Sequence, residues 1–368
     1  MRMKKLLTII GARPQWMKAA ALSRTLQSGS HGMVEQVLHT GQHVSDDMSG
    51  IFFRELGLRQ ADIQLEVGSD PIVRMGQMME GISSAIAAYE PDAIILYGDT
   101  DSTLAGAWSG SRAGIPIVHI EAGLRSFDRS MPEEVNRVLT DHLSSVLFCP
   151  THGAVDQLRK EGVFTGSRSE ILVSQCGDLM LDTARFIGGP PTAVPVGSKQ
   201  VLWTMHRPSN VDDIERLKRW VFNVGEVANQ RGLTVIFPVH PRTAKSLFSA
   251  FGMEWKKQLI DLGIQVEEPA GYVQMTKWLH QVGSVWTDSG GLQKEAFFFH
   301  RPSIVMRDTT EWRELVSGGF AQLCPHPDDL SNCILQMPEL PLPYDEPFYG
   351  SGQAAMSIAD SLQAWFQK

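Results

Sequence analysis

Three carboxylates stand where reacting groups would be expected: Asp99 in YGDT, Glu121 in HIEAGLR and Glu133 in MPEE. Asp99 and Glu121 follow short apolar runs, and Glu133 follows Pro132, a residue suited to a first helical turn. A helix N-terminus favours an ionised acid, as suits a base, although an acid there can serve only to complement the dipole. Glu121 closes IPIVHIEAG, which reads as buried, and a buried carboxylate is costly without a partner or a task. His206 and Arg207 close VLWTMHR, and His240 and Arg242 close TVIFPVHPR. A histidine so placed can donate a proton, bind an anion or merely cap the strand. His43 in TGQH is a weaker candidate of the same kind.

A second group of residues suits phosphate. TDSGGLQKE places Ser289, Gly290 and Gly291 at the start of a helix, where a hydroxyl and backbone amides meet the positive end of the dipole. The same residues also make an ordinary Ser cap on a tight turn. Glu295 lies one turn further along that helix, where it could accept from ribose hydroxyls or face solvent. Arg13, on the Pro-stiffened turn GARPQ, offers a fixed cation.

Formal net charge is −8 at pH 7, which argues against a nucleic-acid or anionic-membrane binder. Any anionic ligand then needs local donors. Cys149, Cys176, Cys324 and Cys333 are scattered without metal-ligand or disulfide spacing, and a reducing cytoplasm is the expected setting. The apolar run in MRMKKLLTIIG is interrupted by Thr8 and stopped by Arg13, so it reads as a first strand and not a signal peptide. No run approaches the roughly 18 apolar residues of a membrane span. HExxH, Walker A, GxSxG and complete GxGxxG patterns are absent.

The elements that must carry these residues follow from periodicity. LLTIIG, VEQVLHTG, AIILYGD, IPIVHIEAG and VLFCPT alternate with helical segments, and the cycle resumes with VLWTMH, TVIFPVH, IQVEEPA, SVWTDSGG and PSIVM. Such alternation predicts an α/β protein of two Rossmann-like domains with parallel sheets, residues 1–175 and 176–352. A final amphipathic pattern, 353–368, reads as a helix that could pack back across the interface. The Gly/Pro-rich stretch Ile187–Lys199 reads as a linker, and Pro338–Gly352 is another Pro-rich connection. Ligands of open α/β sheets bind beyond the carboxyl ends of the strands, where every motif above falls, so an active site in the interdomain cleft is expected.

In order along the chain, GARPQ, TGQH, YGDTDSTLA, HIEAGLRS, PEEVNRVLTDH, FCPT, MHR, PVHPR, TDSGGLQKE and MRDTTEWRE resemble the non-hydrolysing UDP-N-acetylglucosamine 2-epimerase family. The resemblance implies a GT-B, phosphoglycosyltransferase-like architecture and inversion at C2 of a UDP-2-acetamido sugar, by anti elimination of UDP to a glycal and syn re-addition. It implies Asp99, Glu121, Glu133 and His206 as the catalytic set. It also implies Arg13, Lys18, Arg207, His240, Ser289, Gly290, Gly291 and Glu295 as the UDP-binding set. It further implies a last helix that returns to the first domain, no metal or nicotinamide cofactor, a UDP-sugar as partner, a homodimer, and a product that serves cell-surface polysaccharide. Familiar members read GTRPE, so Ala12 and Gln15 here, with the short FDRSMPEE loop, resemble the branch that includes UDP-2,3-diacetamido-2,3-dideoxy-glucuronate 2-epimerases. Gln42, His43, Arg207 and His240 match positions through which some members bind an activating second substrate, whereas Pro208 departs. The competing reading is a GT-B glycosyltransferase using a UDP-sugar donor, which has no evident use for three acids around C2.

Overall fold

The computed structural model describes residues 2–42, 60–164, 170–193, 198–337 and 348–368. His43, part of the Gly/Pro-rich linker and much of Pro338–Gly352 lie outside the described residues. The chain divides into two compact units, Met1–Thr183 with Pro347–Lys368, and Ala184–Glu346.

The first unit contains β1 (Lys4–Ile10), β2 (Met33–His39), β3 (Ile63–Gln64), β4 (Ala93–Tyr97), β5 (Ile117–Ile120), β6 (Val146–Cys149) and β7 (Leu172–Gln175). They form a seven-stranded sheet in the order β3-β2-β1-β4-β5-β6-β7, parallel throughout. Strand β4 is buried along its whole length, which is why it reads as a continuous apolar run instead of an alternation. Helices α1 (Arg13–Gln27), α2 (Pro71–Tyr89), α3 (Asp101–Ala113), α4 (Pro132–Leu143) and α5 (His152–Lys160) connect the strands. Helix α3 lies close on the sheet because it presents Gly106 and Gly110. A Cβ at Gly106 would come 2.5 Å from Leu96 Cδ2, and one at Gly110 would come 2.8 Å from Ile94 Cδ1.

After α6 (Leu179–Gly188), the second unit places β8 (Gln200–Thr204), β9 (Thr234–Pro238), β10 (Ile264–Glu267), β11 (Ser284–Thr287), β12 (Ser303–Val305) and β13 (Ala321–Leu323) in the parallel order β10-β9-β8-β11-β12-β13. Its core holds Trp203, Trp220 and Trp286, each at most 1% exposed, with Trp203 stacked on Phe237 at 3.9 Å between ring centroids. Here α7 (Pro208–Val211), α8 (Ile214–Arg231), α9 (Pro241–Phe251), α10 (Trp255–Asp261), α11 (Tyr272–Gln281), α12 (Gly290–Phe298), α13 (Arg313–Ser317) and α14 (Leu330–Gln336) complete the helices. In both sheets the order reverses beside the first strand, at β1/β4 and at β8/β11, the switch points where open α/β sheets hold ligands. No helix among the described residues is long and apolar enough to cross a membrane.

The final helix, α15 (Ala354–Trp365), packs on α1 in the first unit, with His31 Nε2 3.1 Å from Asp360 Oδ1. The division between units falls after Thr183, not at 175, for a physical reason. Asp178 N–H donates to the Tyr349 carbonyl at 2.9 Å, the Thr183 hydroxyl donates to the Met17 carbonyl at 2.7 Å, and Asp182 accepts from Ala354 N and Ala355 N at 3.1 and 2.8 Å. These bonds fasten the start of α6 to the first unit. Asp182 supplies the cap that α15 lacks locally, since Gln353 makes no side-chain cap bond. Asp182→Ala should therefore destabilise α15 by about 1 kcal/mol, read as faster amide hydrogen exchange from Ala354 to Leu362 with β-sheet amides unchanged.

Candidate active site

At the carboxyl ends of β1, β4 and β5 the first unit gathers a set of paired charges. Lys18, from the second turn of α1, extends Nζ to Glu121 Oε2, and both side chains are mostly buried, 9% and 13% exposed. Arg137, one turn into α4, pairs with Asp99 Oδ2 and donates to Glu134 Oε2 at 3.0 Å. Burial alone would lower the Arg137 pKa, but Asp99, Glu134 and the nearby Glu121 raise it above its ordinary value, so it stays charged. Asn136 donates to the Asp99 carbonyl at 3.0 Å and to Asp101 Oδ1 at 3.1 Å, and Arg74 holds Asp101 at 2.9 Å. Asp99 and Glu121 thus stand just beyond the ends of adjacent parallel strands, each paired with a cation. Lys18, expected at the diphosphate, is on Glu121.

Glu121 has φ of +71°, a left-handed conformation that costs a non-glycine residue on the order of 1–3 kcal/mol. Its neighbours hold it there. Glu121 N and Ala122 N both donate to the Phe148 carbonyl at 3.0 Å, and Gly123 N donates to Asp141 Oδ2 at 3.2 Å. Burial raises the pKa of fully buried Asp141, but His119 and Arg125 outweigh it and hold the carboxyl below its usual range. Asp141 is therefore an ion.

Glu133 is exposed on the first turn of α4, whereas Glu134 beside it is buried. Glu134 accepts from Ser126 N at 2.8 Å, Ser126 Oγ at 3.0 Å and Phe127 N at 3.0 Å, fixing the loop that leads into the helix. That loop includes Phe127, exposed at φ of +62°. Arg13 is exposed at the first turn of α1. Gly11 precedes it for packing reasons: a Cβ there would overlap Ser102 Oγ and Thr40 Oγ1. Gln15 is 1% exposed and fully engaged by protein. Its Oε1 accepts from Gly11 N and Ala12 N at 2.8 and 3.1 Å, and its Nε2 donates to the Tyr97 carbonyl and Thr103 Oγ1 at 2.7 and 2.9 Å. The GARPQ departure at this position therefore braces β1 against β4 and leaves no Gln15 group for a ligand. Gln42 likewise accepts from Ser102 N and Oγ at 3.0 and 2.6 Å.

In the second unit a different carboxylate organises the strand ends. Asp288, fully buried after β11, accepts from His206 N at 3.0 Å, Arg207 N at 2.9 Å and Asn210 Nδ2 at 3.1 Å. His206 Nδ1 lies 3.4 Å from Asp288 Oδ1. Burial lowers the His206 pKa, Asp288 opposes this and Arg207 adds to it, leaving the ring mostly neutral at pH 7. With Nδ1 facing the carboxylate, Nε2 is left as the basic nitrogen. His240, 5.5 Å away between ring centroids, is shifted down by burial and by His206 and Arg242; its Nδ1 accepts from Arg242 N and caps α9.

Ser289 caps α12 through its hydroxyl, and Gly290 and Gly291 open the helix. A Cβ at Gly290 would overlap Glu311 Oε1, so a larger residue there would have to displace that carboxylate; at Gly291 nothing lies within 4 Å of that position. Arg207 Nη2 is 3.7 Å from the Gly290 Cβ position, and the buried Arg207 Nε has no hydrogen-bond partner among the described residues. A guanidinium with one unmatched N–H and the Glu311 carboxylate thus stand together beside the start of this helix. Glu295 is half-buried one turn along the same helix. Sequence reasoning passed over Arg137, Asn136 and Asp288 as site-builders although each lay inside a quoted motif, because only the fold reveals what they touch.

The family model for UDP-N-acetylglucosamine 2-epimerase matches residues 27–363. The chain is 41% identical, over 97% of its length and 99% of the relative's, to UDP-2,3-diacetamido-2,3-dideoxy-D-glucuronate 2-epimerase of Pseudomonas aeruginosa. It is 34% identical, over 97% of its length and 98% of the relative's, to UDP-N-acetylglucosamine 2-epimerase of Methanococcus maripaludis. The structure superimposes on Methanocaldococcus jannaschii UDP-GlcNAc 2-epimerase, solved with UDP-GlcNAc and UDP, with a TM-score of 0.82 at 32% identity, covering 99% of this chain and 100% of the other.

Burial alone would raise the Glu134 pKa, but the Ser126 and Phe127 amides, the Ser126 hydroxyl and Arg137 outweigh it and lower the net value. The stability this carries is complete above the unfolded value of about 4.3 and disappears as pH falls through the folded one. Glu134→Gln should accordingly lower the urea midpoint at pH 7, and the gap from wild type should narrow at pH 3.

Proposed function

Because the chain belongs to the UDP-N-acetylglucosamine 2-epimerase family and is a UDP-sugar 2-epimerase, an isomerase, we propose that it inverts C2 of a UDP-2-acetamido sugar by eliminating UDP and adding it back. The observation that carries the reading is the pairing of Asp99 with Arg137 and of Glu121 with Lys18 at the ends of adjacent strands. One carboxylate takes the proton from C2, the electrons of the broken C2–H bond become the C1=C2 double bond of the glycal, and the C1–O bond breaks with its electrons leaving on the β-phosphate oxygen. UDP then returns to C1 and a second acid delivers a proton to the opposite face of C2. Anti elimination followed by syn addition requires acids on two sides of the ring, a role shared by Asp99, Glu121 and Glu133, with His206 assisting through Nε2.

The UDP falls to the second unit in this reading. Arg207 and the amides after Ser289, at Gly290 and Gly291, meet the diphosphate, where charge develops as the C1–O bond breaks. His240 and Arg13 add to its binding, and Glu295 accepts from the ribose. The substrate we infer is the 2,3-diacetamido-glucuronate nucleotide, supported by the GARPQ pattern and by the 41% identical relative of that name. Gln15 is structural here, so the C3 and C6 groups are read by other side chains.

We also propose a homodimer, in which exposed Trp108 of α3 and Val135 and Leu139 of α4, on two helices packed together, are covered by a second copy. Sedimentation of Trp108→Asp should then report a lighter species than wild type; equal masses would exclude this face.

Incubation in deuterated water with the diacetamido-glucuronate nucleotide and, separately, with UDP-GlcNAc tests the reaction by NMR. The expected outcome is an equilibrium pair of UDP-sugars carrying deuterium at C2, formed without added cofactor and faster with the first substrate. Asp99→Asn, Glu121→Gln and Glu133→Gln should each slow it by roughly 10²–10⁴-fold. Glycosylation of an added acceptor with no C2 exchange would instead establish a transferase.

A further inference from the structure

The acid–base step leaves unused a buried histidine two residues before Glu121. His119 of β5 is 0% exposed; its Nδ1 lies 2.7 Å from Asp141 Oδ1, and its Nε2 lies 2.7 Å from the Gly98 carbonyl oxygen. The carbonyl can only accept. Asp141, which Arg125 also contacts at 2.7 Å, offers carboxylate oxygens, and both imidazole nitrogens are thus engaged by protein oxygens. Arg125 in turn binds Glu161 through two hydrogen bonds, at 2.8 and 2.6 Å, so a chain of alternating charges runs from the surface to the strand ends.

The geometry around Glu121 gives this network its direction. Asp141 uses Oδ1 on His119 and Oδ2 on Gly123 N, gripping the chain at equal distances on both sides of the one residue held at φ of +71°. His119 passes the grip to Gly98, the residue before Asp99, which is itself left-handed at +63° and bonded through its N–H to the Ile120 carbonyl at 3.0 Å. Gly98 packs so near Glu121 that a Cβ on it would be 3.2 Å from Oε2. The strand-end turns bearing Asp99 and Glu121 share one buried anchor.

We propose that His119 and Asp141 are positioning residues for the C2 proton transfers: engaged through both nitrogens, His119 ties the Gly98–Asp99 turn to the carboxylate that brackets Glu121. The proposal rests on the C2-epimerase reading above. Neither residue touches substrate, and their effect is on the placement of the two acids, where a displacement of the order of 1 Å costs about 10²-fold in rate.

His119→Phe keeps a ring and removes both nitrogens. Its rate of deuterium entry at C2 should fall about tenfold or more, while its affinity for UDP, measured by calorimetry, should stay within about twofold of wild type, because Arg207, Ser289 and Gly290 belong to the other unit and Arg13, on α1, is not among the groups His119 contacts. His119→Gln, which keeps one donor, should recover part of the rate. A wild-type rate in His119→Phe, or parallel loss of rate and UDP affinity, overturns the proposal. Wild-type exchange serves as the control: without it the epimerase reading itself fails, whereas normal wild-type exchange with an equally active His119→Phe refutes positioning alone. Should His119→Phe not fold, His119→Gln decides: a wild-type rate of deuterium entry overturns the proposal, and a reduced rate with UDP affinity unchanged supports it.

Discussion

Asp141 is a carboxylate with no exposure to water, and ionisation there costs several kcal/mol unless the protein returns equivalent contacts. It receives them from His119, Arg125 and the Gly123 amide. Because those donors sit on β5, on the turn beyond it and on the segment leading to α4, the cost can be offset only when all of them converge. Convergence fixes the path of the chain through Glu121, including a backbone conformation that an isolated glutamate would leave.

The second unit solves the same problem with another buried carboxylate. Asp288 is satisfied largely by backbone amides of His206 and Arg207 and by Asn210, so that the turn after β8 is wrapped around the end of β11. This arrangement leaves the His206 ring oriented and the Arg207 guanidinium beside the start of α12. In both units a buried carboxylate organises the loops at the ends of neighbouring strands, β4 and β5 in the first and β8 and β11 in the second.

Much of this was legible in the sequence because parallel strands buried on both faces produce unbroken apolar runs, and the polar residues that end them mark the loops. AIILYGD and IPIVHIEAG located Asp99 and Glu121 in this way. Strands β3, β7 and β13 were not anticipated, since they are short, lie at or near sheet edges and are only partly buried. In the MPEE motif the sequence pointed to Glu133; helical rotation alone decides that Glu134 turns inward to the Ser126 loop while Glu133 faces outward. Gln15 looked like a substrate determinant by its departure from GTRPE, and packing made it a brace between two strands.

The sequence by itself determined the α/β architecture, the order of the strand-end motifs and the family, because these depend on local periodicity and on residue types at fixed places along the chain. Tertiary structure alone decided which charge meets which: Lys18 with Glu121, Arg137 with Asp99, His119 with Asp141 and Asp288 with the His206 turn. Those partners lie between 22 and 103 positions apart. A Coulombic or hydrogen-bonded contact requires approach within a few ångströms, and only the folded sheet brings such distant residues that close.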